Sequence, residues 1–229
     1  MHSIVVINPK GGCGKSTIAM NLAGFFACWG VSVGLVDLDP QESCLDWLRA
    51  RPKNSPRIEG WQNPSIQQER ELTIDYQIID VPSSCFDSQI QDIVVQADTV
   101  IIPLLASIND FRATTKFIRD INVLQTRVEQ KTSVGFIANR IKNNTKSYLY
   151  LKEFVGQTEI PCHGVLRDTQ NYIRAAESGL SIFELPRHMV SSDLVQWRRV
   201  IRWLCFDQYI STNVPLGIAD DADIAQQVK

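Results

Sequence analysis

The stretch Ile4-Val5-Val6-Ile7-Asn8-Pro9-Lys10-Gly11-Gly12-Cys13-Gly14-Lys15-Ser16-Thr17 decides the fold. Four consecutive β-branched residues read as a buried strand, the glycines as a tight turn, and Ser16 to Trp29 as a helix that Gly30 ends. A strand, a Gly-rich turn ending Gly-Lys-Ser and a helix form the setting of a phosphate-binding loop. Backbone N–H groups wrap the phosphates there, and the helix N-terminus adds its dipole. Lys15 is placed to reach the β- and γ-phosphates, and the Ser16 hydroxyl to bind Mg²⁺. Pro9 stands where the general motif G-x-x-x-x-G-K-[ST] has its first glycine, and a second lysine, Lys10, stands just inside the loop.

Outward from the loop, short β-branched runs alternate with longer periodic segments, the pattern of βαβ units around a mostly parallel sheet. Residues 31–36, 76–81, 98–103 and 133–138 read as further strands, with 161–166 as a sixth. Residues 84–96, 109–129, 143–156 and 192–205 read as helices. In 109–129, Phe117, Ile121, Leu124 and Val128 form one apolar stripe, with Arg112, Lys116, Arg119 and Arg127 on the far side. Residues 51–75, rich in Pro and Gln, read as a loose connection. The fold expected is a doubly wound α/β P-loop NTPase. Residues 1–210 are expected to form one domain and 211–229 an acidic, poorly ordered tail.

At 229 residues, 44% hydrophobic and 21% charged, the chain is too apolar for disorder. Its formal net charge of −2 excludes a constitutively basic nucleic-acid binder. The charge is uneven: −6 over residues 1–111, +7 over 112–202 and −3 over 203–229. One basic face for a polyanion, or a solvated surface of mixed sign, would both give that distribution. No apolar run reaches the ~20 residues that span a bilayer, and the start carries no secretory leader. The six cysteines lie far apart without Cys-x-x-Cys, so they read as reduced thiols of a cytoplasmic protein.

Lys10 to Thr17, as K-G-G-x-G-K-[ST]-T, resembles the deviant Walker A box of the ParA/MinD family of P-loop ATPases. Val36-Asp37-Leu38-Asp39-Pro40-Gln41 is similar to that family's second box, and Tyr76 to Asp80 to its Walker B strand. Asn139-Arg140 resembles its adenine-reading position. The signals span roughly residues 3–205. The run Val81-Pro82-Ser83-Ser84-Cys85 departs from the family's usual Thr-Pro-Pro. Cys85 lacks the spacing and the second cysteine of an iron–sulfur ligand.

The resemblance implies ATP and Mg²⁺ as cofactors and an ATP-sandwich homodimer. In it Lys10 and Lys15 serve catalysis, with Lys10 reaching the partner's nucleotide, and Asp39 orients the attacking water. Gly11, Gly12, Cys13, Gly14, Lys15, Ser16 and Thr17 cradle the phosphates, and Asn139 with Arg140 holds the adenine. Ser16, Asp37 and Asp80 hold the metal, Asp37 through water. For Asp80 a helix-capping role is the alternative.

Among the branches, the small partition and positioning ATPases without an N-terminal helix-turn-helix fit best, because the chain begins at strand one. They bind nonspecific DNA as dimers, which points to Arg174, Arg198, Arg199 and Arg202, with Lys142 and Lys146 as weaker candidates. A solvated helix face, with Val195, Ile201 and Leu204 packing inward, is the alternative for Arg198, Arg199 and Arg202. The acidic end argues against membrane targeting by a basic helix. The implied function is cytoplasmic and nucleoid-associated: positioning a plasmid, chromosome or protein assembly, with hydrolysis stimulated by a cargo-bound partner. Two other readings stay open, an ATP-gated regulatory binding module and a metabolic P-loop ligase or reductase.

Overall fold

Strand β1 (His2–Val6) runs into the glycine loop, and helix α1 (Lys15–Cys28) leaves it. These belong to a computed structural model that describes residues 1–62, 73–83, 86–126, 132–142 and 145–205. The chain continues through β2 (Val33–Asp37), α2 (Ser43–Arg49), β3 (Glu59–Trp61) and β4 (Tyr76–Asp80). Next come α3 (Ser88–Gln96), β5 (Thr99–Leu104), α4 (Ile108–Gln125), β6 (Ser133–Ile141) and α5 (Lys146–Gly156). Strand β7 (Cys162–Arg167), α6 (Asn171–Glu177), a 3-10 turn (Ile182–Glu184) and α7 (Arg187–Leu204) complete the described part.

Among the described residues the strands form one seven-stranded sheet in the order β3-β2-β4-β1-β5-β6-β7. Every pairing is parallel. The fold is the doubly wound α/β fold of P-loop NTPases. The strand order reverses at β1, which lies between β4 and β5, so the crevice beyond its C-terminal end is the place for a ligand.

Alternation along the strands builds two apolar layers. Ile4, Val6, Leu35, Ile78, Ile101 and Ile137 face α1 and α7, whereas Val5, Ile7, Val36, Ile79, Val100 and Phe136 face α3, α4 and α5. Both layers cover the sheet, which explains why its strands read as continuous apolar runs. Helix α1 is buried on nearly every side, consistent with its all-round apolar sequence. At Gly24 a Cβ would lie 2.3 Å from the Ser181 Cβ, so only glycine lets α1 approach the turn at 181–184.

The sequence expectations need three corrections. Residues 51–75 are not wholly a loose connection, because Glu59 to Trp61 add an edge strand beside β2. Helices α2 and α6 were not foreseen; each has seven residues, too short for a periodic signal. The last helix starts at Arg187 rather than near 192, and Val195 on it is 44% exposed rather than packed inward. Phe117, Ile121 and Leu124 are buried as expected. Val128, Arg127, Ser84, Cys85 and the expected tail at 211–229 lie outside the described residues.

One ion pair fastens this framework. Arg51 meets Glu184 through two hydrogen bonds of 2.8 and 3.1 Å, the side chains only 7% and 8% exposed. Glu184 also accepts from the Ser181 N–H and hydroxyl. Removing one partner of such a pair strands a buried charge. Arg51→Met should therefore destabilise the protein by about 3 kcal/mol, read as a fall in the urea midpoint; an unchanged midpoint would refute the assignment.

Candidate nucleotide-binding site

The glycine loop is held from both sides. The Asn8 amide donates to the Pro103 carbonyl at 2.6 Å, and its oxygen accepts from the Lys10 N–H at 2.9 Å. From β6, the Asn139 amide donates to the Cys13 carbonyl at 2.9 Å, and its oxygen accepts from the Arg140 N–H. Gly14 has φ +93°, and a Cβ there would lie 2.1 Å from the Asn139 amide nitrogen, so this position requires glycine twice over. The Cys13 thiol, 1% exposed, turns under the loop and donates to the Lys10 carbonyl. Burial pushes its pKa up, and Asp110 at the start of α4 adds to that.

The loop from Gly11 to Thr17, Cys13 apart, lines one cavity of about 480 Å³ together with Asp39, Asn139 and Arg140. Lys15 is 7% exposed, its ammonium 3.5 Å from the Lys10 carbonyl. Lys10 is exposed and does not line the cavity. Asp39 stands at the rim, its carboxylate accepting from the Gln41 N–H at 3.0 Å.

Beneath the loop, Asp37 and Asp80 sit opposite each other at the ends of β2 and β4. Asp37 is fully buried, one oxygen accepting from the Asp39 N–H and the other from the Cys44 and Leu45 N–H groups. It therefore supplies the N–H groups of the first turn of α2 with an acceptor. Strand β2 stops at Asp37, so Asp39 lies beyond the strand and outside its alternation. The capping role considered for Asp80 belongs instead to Asp37; α3 is capped by Asp87.

Asp80 is 1% exposed and accepts from the Cys44 thiol at 3.3 Å and from the Ser16 hydroxyl. Its second oxygen, Oδ1, has no hydrogen-bond partner. An orphaned buried carboxylate oxygen beside the Ser16 hydroxyl suits a hard divalent cation, since Mg²⁺ takes one or two protein oxygens and completes its shell with phosphate and water. Sequence reasoning missed Cys44 and Asn8, whose residue types carry no signal until the fold brings them to the loop.

The far wall of the cavity ties the nucleotide site to α7. Arg167, at the end of β7, forks onto Asp193 of α7, which also accepts from Asn171 at 2.8 Å. Tyr172 accepts from the Trp197 indole N–H at 3.0 Å. Arg167 and Tyr172 both line the cavity. Arg140 keeps a left-handed φ of 54° and reaches Asp168 at 3.5 Å, as Lys142 does at 4.0 Å.

The arginines expected to meet DNA fall in two places. Arg174 is exposed on α6, beside the nucleotide cavity. Arg199 and Arg202 line a different cavity, at the opposite end of the sheet where β1, β5 and β6 begin. Arg198, half-buried, precedes Arg202 by one turn of α7. Within one chain the structure does not bring Arg174 together with the others.

A loop of this geometry predicts nucleotide-binding relatives, and residues 4–182 match the CobQ/CobB/MinD/ParA nucleotide binding domain. The chain belongs to that family. One ParA/MinD relative, the maintenance of carboxysome distribution protein A of Halothiobacillus neapolitanus, is 26% identical over 193 residues, 80% of this chain and 87% of its own. A plasmid partition protein of Borrelia burgdorferi bound to AMPPNP superposes with a TM-score of 0.68 at 16% identity, over 88% of this chain and 99% of its own. A MinD of Pyrococcus horikoshii complexed with Mg-ADP has the same TM-score at 14% identity, covering 93% and 99%. The geometry here is a strand, a glycine loop and a helix N-terminus, the combination suited to phosphate. No helix among the described residues is long and apolar enough to cross a membrane.

The buried carboxylates give the ParA/MinD-type site a pH signature. Burial, with Asp37 nearby, raises the pKa of Asp80 to about 6 against the opposing hydrogen bonds from Ser16 and Cys44. Burial raises that of Asp37 as well. In the unfolded chain such carboxyls titrate near pH ~4, so the native state holds the proton more tightly. The stability Asp80 contributes is present below pH ~4 and is lost as pH rises through about 6. At neutral pH the Asp80 charge costs the nucleotide-free protein on the order of 2–3 kcal/mol. Asp80→Asn should raise the denaturation midpoint at neutral pH and leave it unchanged near pH ~4. An asparagine variant no more stable at neutral pH contradicts this account.

Proposed function

We propose that the protein is an ATPase switch that dimerises around ATP and Mg²⁺, binds nonspecific DNA as a dimer, and positions a cargo whose bound partner stimulates hydrolysis. The observation that carries the reading is the unequal placement of the two lysines. Lys15 is buried at the floor of its own nucleotide cavity, whereas Lys10 is exposed and stands outside it. A second lysine with no place in its own site is suited to another chain's nucleotide, where a cation neutralises charge developing on the leaving phosphate.

Each remaining group has a role that its position supports. The N–H groups of Gly11 to Thr17 and the N-terminus of α1 bind the phosphates, with the Lys15 ammonium folding over them. Ser16 and Asp80 hold Mg²⁺, which neutralises phosphate charge when bound, and Asp37 keeps α2 and Asp39 in register beside it. The Asp39 carboxylate orients the attacking water. Asn139 with Arg140 flanks the adenine, although the Asn139 amide also holds the loop. Arg174 lies at one end of the sheet and Arg199 and Arg202 at the other, so a second copy would be what joins them into a basic track. Conditional assembly of that kind reconciles DNA binding with a net charge of −2. A cytoplasmic, nucleoid-associated protein follows from this reading.

Lys15→Ala should abolish ATP binding by equilibrium dialysis. Lys10→Ala should keep it within a few-fold while lowering turnover by roughly three orders of magnitude. Asp39→Ala should hold the protein on DNA with ATP; an Asp39→Ala protein that hydrolyses ATP at the parental rate would remove that role. Retention on duplex DNA should require ATP rather than ADP and weaken steeply with salt, and the Arg198→Ala, Arg199→Ala pair should abolish it with hydrolysis intact. Retention that ignores nucleotide sinks the DNA track, and turnover stimulated by a small metabolite instead of a partner protein favours a ligase.

A further inference from the structure

The cavity at the N-terminal ends of the strands measures about 720 Å³ and lies at the end of the sheet opposite the nucleotide loop. Its feature is a pair of rings. His163 of β7 and Trp203 of α7 stack with centroids 3.9 Å apart and planes within 8°. Both stand edge-on against β6, where a Cβ at Gly135 would lie 2.5 Å from the imidazole and 2.6 Å from the indole. The indole N–H donates to the Ser133 hydroxyl at 3.0 Å, which fixes the plane of the ring. His163 occupies the β7 side, and the other cavity groups, Thr99, His2 and Tyr76, lie on β5, β1 and β4. Among the described residues, the second face of Trp203 is therefore the one turned to the cavity.

Arg199 and Arg202 line the same space, both on α7 and both preceding Trp203 in sequence. Among the described lining residues the carboxylate is Asp98, which accepts from the Ser3 N–H and hydroxyl and lies 4.0 Å from His2. Burial and Arg199 lower the pKa of His163, so at neutral pH the imidazole stacks uncharged and leaves the positive charge to the arginines. A planar aromatic face, two guanidinium groups and nearby hydroxyls are the components with which single strands are held. The volume lies within the range of pockets that take one ligand of nucleotide size.

The geometry points to a single-strand site in this cavity, with an unpaired DNA base stacked on the open face of Trp203 and its flanking phosphates on Arg199 and Arg202. The inference rests on the DNA-binding reading above and deepens it: the α7 surface meets duplex through its charge and single strand through its ring. Stacking is sequence-tolerant because every base has a π-face, so the site adds affinity without adding sequence preference.

The test uses the full chain with ATP, an oligo(dT) single strand and a duplex of equal length, read by fluorescence anisotropy. Trp203→Leu should weaken single-strand binding about ten- to a hundredfold and change duplex binding within about twofold, while Trp203→Phe restores much of the loss. A 2-aminopurine placed in the single strand should be quenched on binding to the unaltered protein, which needs no variant to fold. Equal losses on both DNAs, or none on either, overturn the single-strand site. Duplex bound without any single strand bound also overturns it and leaves the DNA track standing. Single strand bound without duplex removes the track and keeps the site.

Discussion

Much of the molecule depends on one hydrogen bond, from the Asn139 amide to the Cys13 carbonyl. A phosphate loop needs its N–H groups aimed at one point, and a run of glycines supplies the freedom to aim them without the restraint to keep them there. Asn8 restrains the loop at its entry and Asn139 at its apex, from β5 and β6 respectively. The bare Cα of Gly14 is what lets the Asn139 side chain arrive, so the loop's freedom and its restraint occupy the same residue. The sheet enters the site through this contact, because the position of Asn139 is set by the pairing of β6 with β5 and β7.

The central part of this arrangement was legible in the sequence, and the reasons are physical. Ile4 to Ile7 and Tyr76 to Val81 are buried on both faces, so they read as unbroken apolar runs. Lys15 and Ser16 are tied to phosphate chemistry by local spacing alone. The short edge strand at Glu59 to Trp61 was hidden because three residues make no period and its neighbours are prolines and polar groups. Asp37 and Asp80 were found as carboxylates at strand ends, but their separate tasks depend on whether α2 or Ser16 lies beside them. That is decided by tertiary packing across more than one element, which no local pattern carries. Val195 read as inward because it is apolar, whereas α7 turns a different stripe, with Trp197, Val200, Ile201 and Leu204, to the sheet.

Helix α7 connects the two ends of the sheet. It is joined to the nucleotide cavity wall through Asp193 and Trp197, and beyond them it carries Arg198, Arg199, Arg202 and Trp203. Glycines at 135 and 164 let it lie close against β6 and β7, where a Cβ would collide with Trp203 and Val200. A helix so closely seated moves as a rigid piece or not at all.

The wiring of the sheet also bears on how the protein is made. The glycine loop leaves the ribosome before the strands that flank β1, because β1 pairs with β4 and β5, which follow only at residues 76–80 and 99–104. Asn139, which closes the loop, emerges 126 positions after Cys13. Until then the apolar strand Ile4 to Ile7 and the almost wholly buried α1 have no sheet to cover them, and non-local pairing of this kind forms slowly. The growing chain therefore carries an apolar, aggregation-prone segment uncovered while the residues up to Asn139 are made, an interval in which a holding chaperone has a target.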